Sequence, residues 1–181
     1  TVRRNSDNKI PIFAKLSPDV TDIVEIATSV SQAGATGVSV INTLLGMVID
    51  TQTMRPVLAG VTGGLSGPAI RPIAVRCIWQ IRSALPNVPI IGMGGVRTGQ
   101  DALEMVLAGA NAISVGTSIF NDPGAPMRIQ KELEQELRNR GFESLTQAIS
   151  FAHREVSEAV IEDETGESKD ESEPDWDFIS E

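Results

Sequence analysis

The chain has 181 residues, 41 % apolar but only 4 % aromatic, with 16 glycines and a formal charge of −9. That length allows one domain with a real core, and small aliphatic packing suits buried parallel strands under helices better than an aromatic sandwich. The charge is local: Glu162 to Glu181 holds ten acidic residues and one lysine, and the remaining 14 basic and 14 acidic residues cancel, so nothing in the body favours nucleic acid.

A single cysteine, Cys77, excludes an internal disulfide and a cysteine-built metal site, and fits a reducing compartment. No apolar run approaches the ~18 residues of a membrane span. Thr1-Val2-Arg3-Arg4 has neither an initiator Met nor the apolar core of a signal peptide. It reads as the middle of a longer polypeptide.

In chain order, Ile10 to Leu16 is short and apolar, with Pro11 near its start, and predicts a strand. Ser17-Pro18 reads as a hydroxyl cap followed by proline at the first helical position. Val20, Ile23, Val24, Ala27 and Val30 then recur at helical spacing, and Gly34 ends that helix. Val38 to Ile41 is the next strand. A glycine-rich connection runs from Asn42 to Gly67, with a strand-like piece at Val57 to Val61.

Ile70 to Leu85 predicts a helix with Ile70, Ala74, Cys77, Ile78 and Ile81 on one side. Val88 to Gly92 is a strand. Thr98 and Asp101 form a capping box ahead of Ala102 to Leu107, closed by Gly109. Ala112 to Val115 is the fourth main strand, and Pro126 to Arg140 and Leu145 to Ile161 are amphipathic helices. Four successive βα units fit either half of a (β/α)₈ barrel or a small open α/β sheet. A complete barrel needs ~200 residues or more. Polar and glycine-rich residues follow every strand at its C-terminal end, where barrel active sites are built, and this favours the half-barrel.

Chemistry-bearing residues gather at those strand ends. Lys15 lies in an apolar strand, where a buried ammonium needs a partner; an anionic ligand would supply one, and a strand-end lysine reaching to solvent is the plain alternative. Asn42-Thr43 offers donors and acceptors that could grip a planar heterocycle, or make an ordinary turn. Thr62-Gly63-Gly64-Leu65-Ser66-Gly67-Pro68 runs into a helix; its glycines allow either close backbone approach to a ligand or bare loop flexibility. Gly92-Met93-Gly94-Gly95 and Gly116-Thr117 end neighbouring strands with one capped helix between them. Paired turns of this kind make phosphate sites in barrels from backbone N–H groups and a helix N-terminus. Cys77 reads as a core residue. His153, the only histidine, falls on a late helix and reads as a surface or interface residue. A Ser-His-Asp triad and a histidine metal cluster therefore have little support.

Five runs in unbroken order resemble the class 1 dihydroorotate dehydrogenases: Ala14-Lys15-Leu16-Ser17-Pro18, Ile41-Asn42-Thr43-Leu44-Leu45-Gly46-Met47, Thr62 to Ile70, Ile90-Ile91-Gly92-Met93-Gly94-Gly95, and Val115-Gly116-Thr117. The likeness extends from about Ile10 to Ala152, and the second run is more similar to the B form, which passes electrons to NAD, than to the fumarate-using A form. The resemblance implies an FMN-containing TIM barrel that oxidises dihydroorotate to orotate in pyrimidine synthesis. It places Lys15 at the flavin ring, the backbone of Ile41 and Gly67 on FMN, Gly94, Gly95, Gly116 and Thr117 on its phosphate, and Asn42 and Thr43 on the substrate. It also implies a cytoplasmic homo- or hetero-oligomer, with an FAD and iron–sulfur electron-transfer subunit in the B form. The family's catalytic cysteine, a second lysine and other substrate-binding asparagines belong to the half before Lys15. The expectation is therefore a C-terminal half-barrel over residues 1–161, with no catalytic residue and no metal ligand of its own, followed by a disordered acidic tail over 162–181. A related flavin barrel acting on reduced pyrimidines, and a non-enzymatic phosphate-binding half-barrel, are the alternatives.

Overall fold

The computed structural model describes residues 2–7 and 9–154. The expected tail, and the part of the last expected helix beyond Arg154, lie outside the described residues. Among these, four strands form one parallel sheet: β1 (Phe13–Leu16), β2 (Gly37–Val40), β7 (Ile90–Met93) and β8 (Ala112–Ser114), side by side in chain order. Three helices link or follow them: α1 (Ile23–Gln32), α2 (Arg71–Ala84) and α3 (Gly99–Leu107). A fourth long helix, α5 (Ala125–Asn139), packs on α3. The close approach depends on Gly99, where any Cβ would collide with the backbone of Glu132; the Gly99 N–H also donates to Glu132 Oε2 at 2.8 Å.

Register explains where the core sits. Val38 lies between Ala14 and Ile90, and Val40 between Leu16 and Gly92. Side chains alternate across a strand, so these residues share the face covered by helices. Val38, Val40, Ile90, Ala27, Ala74, Ile78, Ile81 and Met105 are fully buried there. Gly92 has no room for more, since a Cβ would lie 2.9 Å from Ala110 Cβ. Arg82 is buried at the foot of α2, donating to Gly109 O at 3.1 and 2.8 Å and to Asn111 Oδ1 at 2.7 Å. Asn111 Oδ1 also accepts from Ile90 N at 2.9 Å, so one polar cluster pins α2 to the starts of β7 and β8.

The opposite face carries Phe13, Lys15, Ile91, Met93 and Ala112, and none of the apolar ones belongs to a core cluster. Phe13 is 40 % exposed and lies over Gly37. Parallel sheets are normally covered on both faces. This one is covered on one face only, and its outer strands β1 and β8 each have a free edge among the described residues.

Three local expectations are corrected. Ser17 does not cap α1: its hydroxyl donates to Asp19 Oδ2 at 3.2 Å and accepts from Asp19 N, closing a turn. Asp22 is the cap, its carboxylate accepting from Val24 N at 2.8 Å and Glu25 N at 3.3 Å. Val57 to Val61 is not a strand. The connection instead folds into two antiparallel ribbons, β3 (Leu44–Gly46) with β6 (Gly63–Leu65), and β4 (Ile49–Asp50) with β5 (Arg55–Pro56). The chain turns through Val57–Val61, where Val61 takes a φ of 67°. The expected helix from Leu145 is interrupted: α6 (Leu145–Ala148) stops after one turn, because Ile149 is extended and Ser150 has a φ of 62° while its N–H bonds Val106 O at 3.1 Å, and helical structure resumes from Ala152 to Arg154. Gly34 (φ 94°) and Gly109 (φ 120°) do close α1 and α3 as expected, and Thr98 and Asp101 form the full capping box.

Candidate functional site

A cleft of about 340 Å³ opens at the C-terminal ends of the four parallel strands. Each strand delivers residues to it: Lys15 from β1, Ile41 and Thr43 after β2, Met93 to Arg97 at and after β7, and Ser114, Gly116, Thr117 and Ser118 at and after β8. A side wall comes from Ser66, Gly67, Pro68 and Ile70, the approach to α2. Of the nine residues expected from sequence, the structure brings eight to this cleft: Lys15, Ile41, Thr43, Gly67, Gly94, Gly95, Gly116 and Thr117. Asn42 is not among the lining residues; it is exposed, and its N–H donates to Leu16 O at 2.7 Å.

The glycine turns are shaped by close packing. Gly94 has a φ of 124° and sits against Ala74 and Ile70; Gly95 has a φ of 78°, and a Cβ there would lie 2.7 Å from Gly67 O and 3.0 Å from Arg71 Cβ. L side chains rarely adopt such angles. Gly116 differs, with nothing within 4 Å of its ideal Cβ. The two turns are tied directly, since Ser118 Oγ donates to Val96 O at 2.7 Å. The N–H groups of Gly94, Gly95, Gly116 and Thr117 find no acceptor among the described residues. Gly94 and Gly95 are half-buried and Gly116 and Thr117 exposed, so two neighbouring turns line one cleft with four N–H donors that the fold itself does not use.

The charge is equally one-sided. No carboxylate lines the cleft, while Lys15 and Arg97 both do. Neither cation forms an ion pair with any described carboxylate. In a chain of net charge −9, this is a local field for an anion. Of the two readings of Lys15, the structure shows the solvent-reaching one: it is exposed on the open sheet face. Arg97, Ser118 and Asn121 were not anticipated. Arg97 could have been found from its position two residues after the glycine pair and directly before the Thr98 cap. Ser118 and Asn121 lie on a single-turn helix, α4 (Ser118–Asn121), too short for any periodic signal.

Thr43 is positioned by a ribbon. Gly64 in β6 lies against its side chain so closely that a Cβ would collide with Thr43 Oγ1. The ribbon is anchored in turn by Asp19, whose carboxylate accepts from Leu45 N at 3.1 Å. Two other reactive side chains stand away from the cleft. Cys77 is fully buried in α2 among apolar residues, and burial pushes its thiol pKa up, which suppresses the thiolate. The His153 ring stacks on Trp79 with centroids 3.6 Å apart, and its Nε2 lies 3.0 Å from Ala108 O. No group of three His, Cys, Asp or Glu side chains that could hold a metal ion occurs among the described residues. No helix among them is long and apolar enough to cross a membrane.

A family model described as dihydroorotate dehydrogenase matches residues 2–137. Several curated relatives bear the name dihydroorotate dehydrogenase B (NAD(+)), catalytic subunit. That of Geobacter sp. strain M21 is 51 % identical over 148 residues, covering 82 % of this chain and 48 % of the relative. The Desulforudis audaxviator protein is 50 % identical over 153 residues, covering 84 % and 49 %. The Listeria monocytogenes protein is 52 % identical over 136 residues, covering 75 % and 44 %. The chain spans about half the length of the curated relatives it matches.

Proposed function

The chain belongs to the dihydroorotate dehydrogenase family, and on that premise we propose that it is the C-terminal half of an FMN-binding (β/α)₈ barrel that oxidises dihydroorotate to orotate in pyrimidine synthesis. The half-barrel spans residues 1–161, and 162–181 is an acidic appendage to it. The uncovered sheet face, the two free strand edges and the coverage of about half of each relative all support a barrel completed by other strands. The observation that carries the reading is the cleft: four unpaired N–H groups on two glycine turns, two unpaired cations and no carboxylate.

These residues fit a flavin phosphate. At Gly95 a Cβ would strike the opposite wall, so backbone alone can approach the ligand there. Gly94, Gly95, Gly116 and Thr117 hold the phosphate by their N–H groups, with Arg97 adding charge. Ile41 and Gly67 present backbone to the rest of the cofactor. Lys15, across the cleft from the glycine turns in the sheet order β1-β2-β7-β8, would offer a positive charge to the ring end of bound FMN. Thr43 and Asn42 orient the pyrimidine through hydroxyl and amide groups. Bound FMN supplies the two-electron acceptor for the reaction. The described cleft holds no carboxylate, histidine or cysteine, and the proton would leave to a base supplied by the other half of the barrel.

The relatives are named as catalytic subunits with NAD(+). This supports an electron route from the flavin to NAD through a separate subunit; that the subunit carries FAD and an iron–sulfur centre, and that the assembly is cytoplasmic, is our proposal from the family resemblance. The test is anaerobic mixing of the full-length flavoprotein with dihydroorotate, with flavin absorbance as readout. Bleaching of FMN and release of orotate are expected, and an oxidised flavin unchanged by dihydroorotate would overturn the reading. In the same assay Cys77→Ala is expected to keep most turnover and to cost about 1 kcal/mol of stability, since it removes one small buried group. Lost flavin reduction with the fold and FMN intact would make Cys77 the base after all.

A further inference from the structure

A capping box explains only half of what Asp101 touches. Its Oδ2 accepts from Thr98 N at 3.1 Å, as a box requires, and also from Arg97 N at 2.8 Å. Its other oxygen, Oδ1, pairs with Arg71 Nη1, from the first turn of a different helix. Asp101 is buried, 9 % exposed. Arg71 Nε is fixed separately by Glu104 Oε2 at 2.8 Å, so its guanidinium is held by two carboxylates on α3.

These contacts join the two walls of the cleft. One wall is the Gly94–Thr98 turn after β7; the other is the Gly67–Arg71 approach to α2. They meet at Gly95, whose ideal Cβ would lie 2.7 Å from Gly67 O, 3.0 Å from Arg71 Cβ and 3.2 Å from Arg71 N. Behind that contact the Arg71–Asp101 ion pair bridges the same two segments, and Asp101 also pins the backbone of Arg97, whose side chain lines the cleft. An outward movement of the turn after β7 would displace Gly94 and Gly95 from the cleft they line.

We infer that Arg71 and Asp101 are positioning residues for the phosphate cradle: their ion pair sets the spacing between the turn after β7 and the start of α2, and thereby the affinity for the phosphate end of the ligand. The inference rests on the reading of this cleft as a flavin phosphate site. It separates two roles of Asp101. Capping α3 needs no Arg71, whereas setting the cradle does.

The experiment is therefore made at Arg71, which leaves the capping box whole. Binding of FMN and of riboflavin, which lacks the phosphate, is measured by flavin fluorescence on the full-length apoprotein. The wild type is compared with Arg71→Leu and Arg71→Lys, with thermal melts to establish that each is folded. Arg71→Leu is expected to weaken FMN about tenfold and to leave riboflavin unchanged. Arg71→Lys, which keeps one charged contact to Asp101, is expected to recover most of the loss. Equal FMN affinity in wild type and Arg71→Leu would overturn the inference, as would an equal weakening of FMN and riboflavin, which marks a merely structural role. If Arg71→Leu does not fold, Arg71→Gln, which also lacks the charge, takes its place under the same criteria: a selective loss of FMN supports the cradle, and unchanged FMN binding overturns it. A wild-type protein that binds riboflavin as tightly as FMN would sink the phosphate reading itself, a result distinct from any of these.

Discussion

Gly95→Val in the full-length protein is expected to abolish FMN retention through purification and to lower the melting temperature. Two costs coincide at this position. Valine would have to adopt a φ of 78°, which costs about 1–3 kcal/mol for a β-branched residue in that region. Its Cβ would also enter space held by Gly67 O and Arg71, and overpacking of this kind costs a further ~1–3 kcal/mol. Relief comes only by parting the two walls, which removes N–H donors from the phosphate. Hydrogen bonds to a charged group contribute roughly 1.5–3 kcal/mol each, so losing one weakens binding about tenfold or more. Gly116→Leu is the companion. Nothing lies within 4 Å of its ideal Cβ, and its φ is outside the left-handed region, so the melting temperature of the apoprotein should hold while FMN affinity falls. Flavin content per polypeptide and apoprotein melts distinguish the two variants. Normal flavin content in both would remove the cradle from this place in the fold.

The second large effect concerns the isolated chain. It is expected to associate or aggregate rather than persist as a monomer. The open sheet face presents Phe13, Ile91 and Met93 without a covering layer, and β1 and β8 offer unpaired backbone along their outer edges. Free edges of parallel strands recruit other chains. The long connection adds to the exposed apolar surface with Leu45, Val48, Ile49, Met54 and Val57, each more than half exposed. Sedimentation velocity and thermal melting of the purified chain are the measurements. A dilute monomer with one sharp, two-state transition would show that the sheet needs no second half.

What could be read in advance follows a physical division. The four parallel strands and their helices were legible because each is decided by local burial: Val38, Val40 and Ile90 sit in short aliphatic runs, and Ala74, Cys77, Ile78 and Ile81 mark one helical stripe. The Thr98–Asp101 box was legible because both partners lie within one turn of chain. The α1 cap was misplaced because Ser17-Pro18 and Asp22 both carry start signals, and only the geometry shows Ser17 spent on Asp19. The ribbons of the long connection were missed because their strands have two or three residues, and β3 and β6 pair through Gly46 and Gly63, which carry no alternation of apolar side chains. At the site, eight residues were legible from glycine turns and family motifs. Arg97 was not, because a solitary arginine gains meaning only when the surrounding cleft is seen to lack carboxylates. The Arg71–Asp101 pair was invisible for a plainer reason: it joins two helices thirty residues apart in sequence.

The order of the cleft's parts along the chain has a consequence for biosynthesis. A ribosome releases Lys15 first and the Gly116–Ser118 turn last, and Ser118 Oγ on Val96 O locks the two turns together only when both have emerged. On the proposed reading, cofactor loading is therefore a late event in the life of the nascent polypeptide. Products truncated before β8 should leave the ribosome colourless, however complete the rest of their barrel, and the cell's quality control would meet them as apoprotein.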